Sequence, residues 1–167
     1  MNPAHVWKVP PYEDYVQAPL TDELLDTTEQ RLGVRLPESL VALLRAQNGG
    51  YLQVGFPEDE EYNTTHDIIR GIGSKFPCLQ KNAWWHDDDD DFEPRPAGAE
   101  WLVPFDGDGH WDLCLDYRRS PTDPAGLRTN PAVVVIDTEV YDDADVESFV
   151  AASFDEYLAQ LVPAADR

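Results

Sequence analysis

From Leu20 onward the apolar residues recur with a helical period. Leu24, Leu25, Thr28 and Leu32 fall on one helix face. Thr21 is placed to cap the start, Asp22 and Glu23 put carboxylates in the first turn, and Gly33 supplies a stop. Pro37 is expected as the first residue of a second helix, whose apolar face continues through Leu40, Leu43 and Leu44. Asn48-Gly49-Gly50 ends it. The pattern predicts an αα-hairpin joined by Val34-Arg35-Leu36.

Beyond the hairpin the period shortens. Tyr51 to Val54 and Asp67 to Ile72 read as short strands, and Trp101 to Phe105 as a strand whose Pro104 belongs at an edge or bulge. His110 to Tyr117 alternates Trp111, Leu113, Leu115 and Tyr117 with Asp112, Cys114 and Asp116, the pattern of a half-buried strand. Val133 to Ile136 is a β-branched run expected to be buried. Ser153-Phe154-Asp155-Glu156 is a capping box opening a last helix, with Phe154, Tyr157, Leu158 and Leu161 on its core face. Most of 75–96 has no period and reads as loop. Helices at both ends of a run of strands predict an α+β fold rather than a parallel βαβ one. The expected organisation is an extended lead-in over 1–14, one domain over 15–162 and a tail over 163–167.

Several of these pieces, taken in order, resemble the SUKH superfamily, with its fungal Smi/Knr cell-wall regulators and their bacterial relatives as the nearest branch. They are Leu32-Gly33, Arg35-Leu36-Pro37, the helix from Glu38 to Gln47, and Asn48-Gly49-Gly50. Ile72-Gly73, Leu102-Val103-Pro104-Phe105, Leu113-Cys114-Leu115-Asp116 and the closing Ser153-Phe154-Asp155-Glu156-Tyr157-Leu158 follow. The resemblance covers Leu20 to Leu161. It implies a SUKH-like fold, with the N-terminal helical hairpin and the C-terminal helix packed on a central, mainly antiparallel sheet. It also implies binding rather than catalysis. Bacterial members are commonly immunity proteins that neutralise toxins, often nucleases, and fungal relatives act as regulatory interaction proteins. The long lead-in, the 75–99 insertion and the 120–130 loop depart from the family pattern.

Charge sharpens that picture. The 167 residues hold 33 Asp and Glu against 12 Lys and Arg, a formal charge of −21. Such a chain is a poor partner for phosphate backbones or anionic membrane surfaces and suits a basic partner, a cation, or simply high solubility. An apolar content of 42%, with 11% aromatics, supports a packed core despite that charge. Acids cluster at Glu58, Asp59, Glu60 and Glu61, at Asp87, Asp88, Asp89, Asp90 and Asp91, and at Asp142, Asp143 and Asp145. Each cluster alone reads as a solvated loop. Sharing a face, they would steer a basic toxin domain to the site, with Trp84 and Trp85 as aromatic anchors. Crowded carboxylates of this kind are expected to have raised pKa values.

Catalytic readings fare worse. Asp106-Gly107-Asp108-Gly109 opens like a calcium loop, but Tyr117 stands where the closing glutamate belongs and strands flank it, so a β-turn is preferred. His5, His66, His86 and His110 are scattered, without helical pairing, so a metal-dependent hydrolase is the remote alternative and no metal or other cofactor is expected. No nucleophile elbow or phosphate loop is present. Cys78 and Cys114 read as two buried thiols in a reducing compartment. No apolar run marks a secretory leader in the first 15 residues, so a cytoplasmic location is expected. The expectation is a non-enzymatic protein-binding domain, an immunity protein by preference and a regulatory or scaffold protein otherwise.

Overall fold

The computed structural model describes residues 5–57, 67–80, 96–107, 111–137 and 147–163. Helix α1 spans Asp22–Leu32 and is held as expected at both ends. Thr21 Oγ1 accepts from the Leu24 N–H, and Gly33 closes the helix at φ +71°. Helix α2 spans Glu38–Ala46. Pro37 is not its first residue but its N-cap, with an extended ψ of 135°, and its carbonyl accepts from the Val41 N–H at 3.0 Å. The connector is tied to the loop between the strands Trp111–Asp116 and Ala132–Asp137. Val34 bridges Arg128, Arg35 N–H donates to the Arg128 carbonyl at 2.7 Å, and the Arg128 guanidinium lies 3.9 Å from the Trp101 ring centroid.

The central sheet is antiparallel, in the order β4 (Leu102–Gly107), β5 (Trp111–Asp116), β6 (Ala132–Asp137), β7 (Glu147–Ala151). Pro104 lies on the edge strand at a register shift, as its missing N–H requires. Trp101 belongs to a 3-10 turn before β4 rather than to the strand. The predicted strand from Tyr51 to Val54 is two short strands, β1 (Gly50–Tyr51) and β2 (Val54–Gly55), and Asp67 to Ile72 contributes only β3 (Ile68–Ile69). β1 pairs with β3, and β2 pairs with β8 (Val162–Pro163). A hydrogen bond of 2.8 Å from Arg70 N–H to the Phe105 carbonyl joins the β1–β3 pair to the edge of the main sheet. Neither β7 nor β8 was legible in the sequence, because Glu147-Ser148-Phe149 is exposed and carries no buried alternation.

One face of the sheet forms the main core. Val103, Phe105, Leu113, Leu115, Val133 and Val135 meet Leu40, Leu43 and Leu44 of α2 and Phe154, Tyr157 and Leu158 of α3 (Phe154–Gln160). Phe105, Phe154 and Tyr157 pack with ring centroids 5.1–5.5 Å apart, near edge-to-face in two of the three pairs. Val6 and Trp7 of the lead-in are buried in the same cluster, and the Trp7 indole donates to the Leu43 carbonyl at 3.3 Å. Ser153 caps α3 by accepting from Glu156 N–H at 3.2 Å, while Glu156 reaches back to the Ala152 N–H at 3.1 Å.

The half-buried reading of β5 is corrected. Asp112 and Cys114 are as buried as Leu113 and Leu115. The second face carries its own cluster of Leu102, Cys114, Val134 and Ile136, with Ala99 against it. Arginines answer the strand's carboxylates there. Arg118 holds Asp116 through Nε at 2.9 Å and Nη2 at 2.8 Å, and reaches Glu147 at 2.8 Å, while Arg70 holds Asp112.

Candidate partner-binding surface

Every residue singled out for partner binding lies outside the described residues: Glu58, Asp59, Glu60, Glu61, Trp84, Trp85, Asp87, Asp88, Asp89, Asp90, Asp91, Asp142, Asp143 and Asp145. The structure does give the points at which the chain leaves for these segments and returns. Segment 58–66 returns at Asp67, whose N–H donates to Asp106 Oδ2 at 3.1 Å. Asp106 is followed by Gly107, which pairs with Asp112 on the next strand. Trp111 pairs with Asp137, where segment 138–146 begins, and Ile136 pairs with Glu147, where that segment ends. The return root of segment 58–66, both roots of segment 138–146 and the strand ends Gly107 and Trp111 therefore meet at one end of the sheet.

A buried polar network holds that end together. Asp106 Oδ2 also accepts from Ile68 N–H at 3.3 Å, and Asp106 Oδ1 accepts from Gly107 N–H at 2.7 Å. Arg70 Nη2 donates to the Gly107 carbonyl at 2.8 Å and to Asp112 Oδ1 at 3.0 Å. Arg70, Asp106 and Asp112 are all buried. Their carboxylates and guanidinium orient the loop roots rather than face solvent. Gly107 is required in this corner. Its φ is +119°, and a Cβ there would stand 2.4 Å from the Trp111 carbonyl oxygen. The sequence placed Asp106 in a candidate calcium loop or β-turn and Asp112 on the polar side of a half-buried strand, and Arg70 was not singled out. The available signal was a lone arginine directly after the apolar pair Ile68-Ile69.

The third acidic segment is rooted elsewhere. The chain leaves at Gln80, whose side chain donates to Thr28 Oγ1 at 3.1 Å and whose carbonyl accepts from Arg31 of α1. It returns at Pro96, just before the 3-10 turn Ala99–Trp101 and the Leu102–Asp116 end of the sheet. Those roots lie by α1 and at the opposite end of β4 from Asp106.

Among the described residues no group of three or more His, Cys, Asp or Glu could hold a metal ion, and no helix is long and apolar enough to cross a membrane. Cys78 and Cys114 are both buried free thiols. Burial pushes the Cys114 thiol well up, and neighbouring Asp112 adds to the shift, so it is poorly suited to act as a nucleophile.

No curated protein matches the chain at a significant level. The model of the SMI1 / KNR4 family (SUKH-1) matches residues 19–160. That match takes in both hairpin helices, the sheet and α3, which together form an α+β fold of the SUKH kind. Family membership places the chain among domains that typically bind protein partners and are generally non-enzymatic. On the residues matched, the chain belongs to the SMI1 / KNR4 (SUKH-1) family.

Proposed function

We propose that this domain is an immunity protein that neutralises a basic toxin domain, a nuclease being the class whose chemistry fits best. The observation that carries the reading is the meeting of the return root of segment 58–66 with both roots of segment 138–146 at one sheet end, over a buried network that fixes their positions. Glu58, Asp59, Glu60, Glu61, Asp142, Asp143 and Asp145 would extend from there as one acidic pole. A nuclease carries a basic surface to hold phosphate, and an acidic pole can occupy that surface in place of the nucleic acid. Long-range attraction between the two raises the association rate and weakens as salt rises. Trp84, Trp85 and Asp87 to Asp91 form a second proposed contact, rooted apart from the pole.

The test is capture of partners by the tagged full chain at low and high salt, combined with the gene order around its coding sequence. A single basic protein, retained at low salt and encoded by the adjacent gene, supports the immunity reading. Diffuse capture of basic proteins that salt removes, with no toxin gene adjacent, favours a regulatory or scaffold protein whose acidity serves solubility. The family includes both immunity and regulatory domains, which supports that second reading.

A further inference from the structure

We infer that a cluster of tyrosines beside the acidic pole is the aromatic anchor of the partner site, and that it receives an arginine-bearing segment of the basic partner. The inference rests on the acidic-pole reading above. Tyr12, Tyr15 and Tyr51 pack ring to ring, with centroids 5.6 Å (Tyr12–Tyr15), 6.0 Å (Tyr12–Tyr51) and 5.1 Å (Tyr15–Tyr51) apart. Tyr51 is the register partner of Ile68, so their side chains share the face of the β1–β3 pair opposite Ile69, which is in the core. Directly after Tyr51, the Leu52 N–H donates to the Asp67 carbonyl at 2.8 Å. The cluster is therefore continuous with the point where segment 58–66 rejoins the fold.

Three properties mark this surface as a docking site rather than an edge of the core. Tyr12 is 52% exposed, and Val9 and Phe76, on the two segments that frame the cluster, are each 77% exposed. Those segments are held to each other, because Lys75 Nζ donates to the Glu13 and Val16 carbonyls at 2.9 and 2.7 Å. Tyrosines present large area at low cost in side-chain entropy, which is why they recur as anchors in binding sites. The surface already accepts a cation on a ring, with Lys8 Nζ 5.9 Å from the Tyr51 centroid. Charge then chooses the occupant. The Lys75 ammonium is turned onto the Glu13 and Val16 carbonyls, while the Asp14 carboxylate is hydrogen-bonded with the Tyr12 hydroxyl and Asp67 lies near Tyr51, in a chain of net charge −21. An acidic ligand would be repelled. A guanidinium can stack on a ring and pair with a carboxylate at once, which a lysine ammonium does less well.

The probes are an arginine–glycine repeat peptide and a lysine–glycine repeat peptide of equal length, titrated into the full chain at low and moderate salt. Affinity and the aromatic NMR signals of Tyr12, Tyr15 and Tyr51 are followed together. The expected result is arginine preferred over lysine by about 2- to 5-fold for each ring engaged, with all three ring signals shifting. Tyr12→Ala, at an exposed position, should lower that preference while leaving the salt dependence intact, and Tyr51→Phe should retain it. Salt-dependent binding in which the two peptides are equal, or in which Tyr12→Ala leaves the preference unchanged, overturns the inference and leaves the acidic pole standing. Absence of salt-dependent binding to either peptide overturns the acidic pole, and this inference with it. A concentration-dependent dimer abolished by Tyr12→Ala would assign the cluster to a second copy of the chain and overturn the inference as well.

Discussion

Asn48 and Ile72 are joined twice. Ile72 N–H donates to Asn48 Oδ1 at 2.9 Å, and Asn48 Nδ2 donates to the Ile72 carbonyl at 2.8 Å. The same amide nitrogen reaches the Ala18 carbonyl at 2.6 Å, and the Asn48 carbonyl accepts from Gln17 N–H at 2.9 Å. One buried side chain thus ties the end of α2 to the lead-in and to the stretch after β3. The approach is close enough that a Cβ at Gly71 would stand 2.3 Å from the Asn48 carbonyl oxygen. Two family pieces, Asn48-Gly49-Gly50 and Ile72-Gly73, are therefore a single contact.

Asn48→Ala should destabilise the domain by about 2–5 kcal/mol, since each buried backbone group left without a partner costs about 1–3 kcal/mol. Asn48→Asp should be no milder, because a carboxylate cannot donate to the Ile72 carbonyl. Urea unfolding measures both. A loss below about 0.5 kcal/mol for the alanine variant would show that water replaces the amide at little cost.

Arg70 and Asp112 form a buried ion pair, with their side chains 6% and 0% exposed. Arg70→Met alone leaves a buried carboxylate uncompensated and should cost about 3–5 kcal/mol. Adding Asp112→Asn should recover much of that loss. A double-mutant cycle in urea checks the coupling, and strictly additive losses would contradict it.

Gly107→Ala should destabilise by at least about 1–3 kcal/mol through its positive φ alone, before the overlap with the Trp111 carbonyl is counted. Because Gly107 stands at the sheet end where segments 58–66 and 138–146 are rooted, the variant should also slow association with a basic partner if the proposed acidic pole is the contact. Thermal unfolding and stopped-flow binding report the two effects separately. Unchanged melting would contradict the strain assigned to this corner.

Stability should pass through a maximum as pH falls. Burial alone would raise the Asp116 pKa, but hydrogen bonds from the Arg118 guanidinium and N–H outweigh it and hold the carboxyl below its ordinary value. Asp123 is lowered chiefly by the Leu127 N–H, with Arg35 and Ala125 adding to it against a desolvation effect of opposite sign. A carboxylate with a lower pKa in the folded state contributes stability above its unfolded pKa of about 3.9, and that stability is lost as pH falls through the folded value. On the expectation from sequence that the acids at 58–61, 87–91 and 142–145 repel one another, mild acidification should act with the opposite sign and stabilise. Added salt near neutral pH should stabilise by the same relief of repulsion. Melting temperature followed from about pH 7.5 downward tests both. A monotonic fall between about 7.5 and 5.5 would contradict the crowding. An Asp116→Asn variant that loses as much below about pH 4 as the parent would contradict the role of Arg118.

The helices were legible because their signals are local. Thr21, Gly33 and Ser153 act on backbone groups within a turn or so of themselves, and the apolar faces of α1, α2 and α3 repeat within single segments. Family membership was readable for the same reason, being carried by caps, turns and short strands in a fixed order. The acidic clusters could be named from the sequence, but not which of the segments that carry them are rooted at one end of the sheet. That depends on strand register between segments far apart in the chain, such as Trp111 with Asp137 and Ile136 with Glu147. The second face of β5 escaped for a related reason. Alternation records what a strand carries, whereas its burial depends on what covers it, and here Arg70 and Arg118 come from outside the strand to compensate Asp112 and Asp116. The tyrosine cluster is likewise a product of tertiary structure, since Tyr12 and Tyr51 meet only because the lead-in pairs beside β1. Sequence determined the elements and the charge of this protein. Long-range pairing decided where that charge is anchored and which aromatic rings stand beside it.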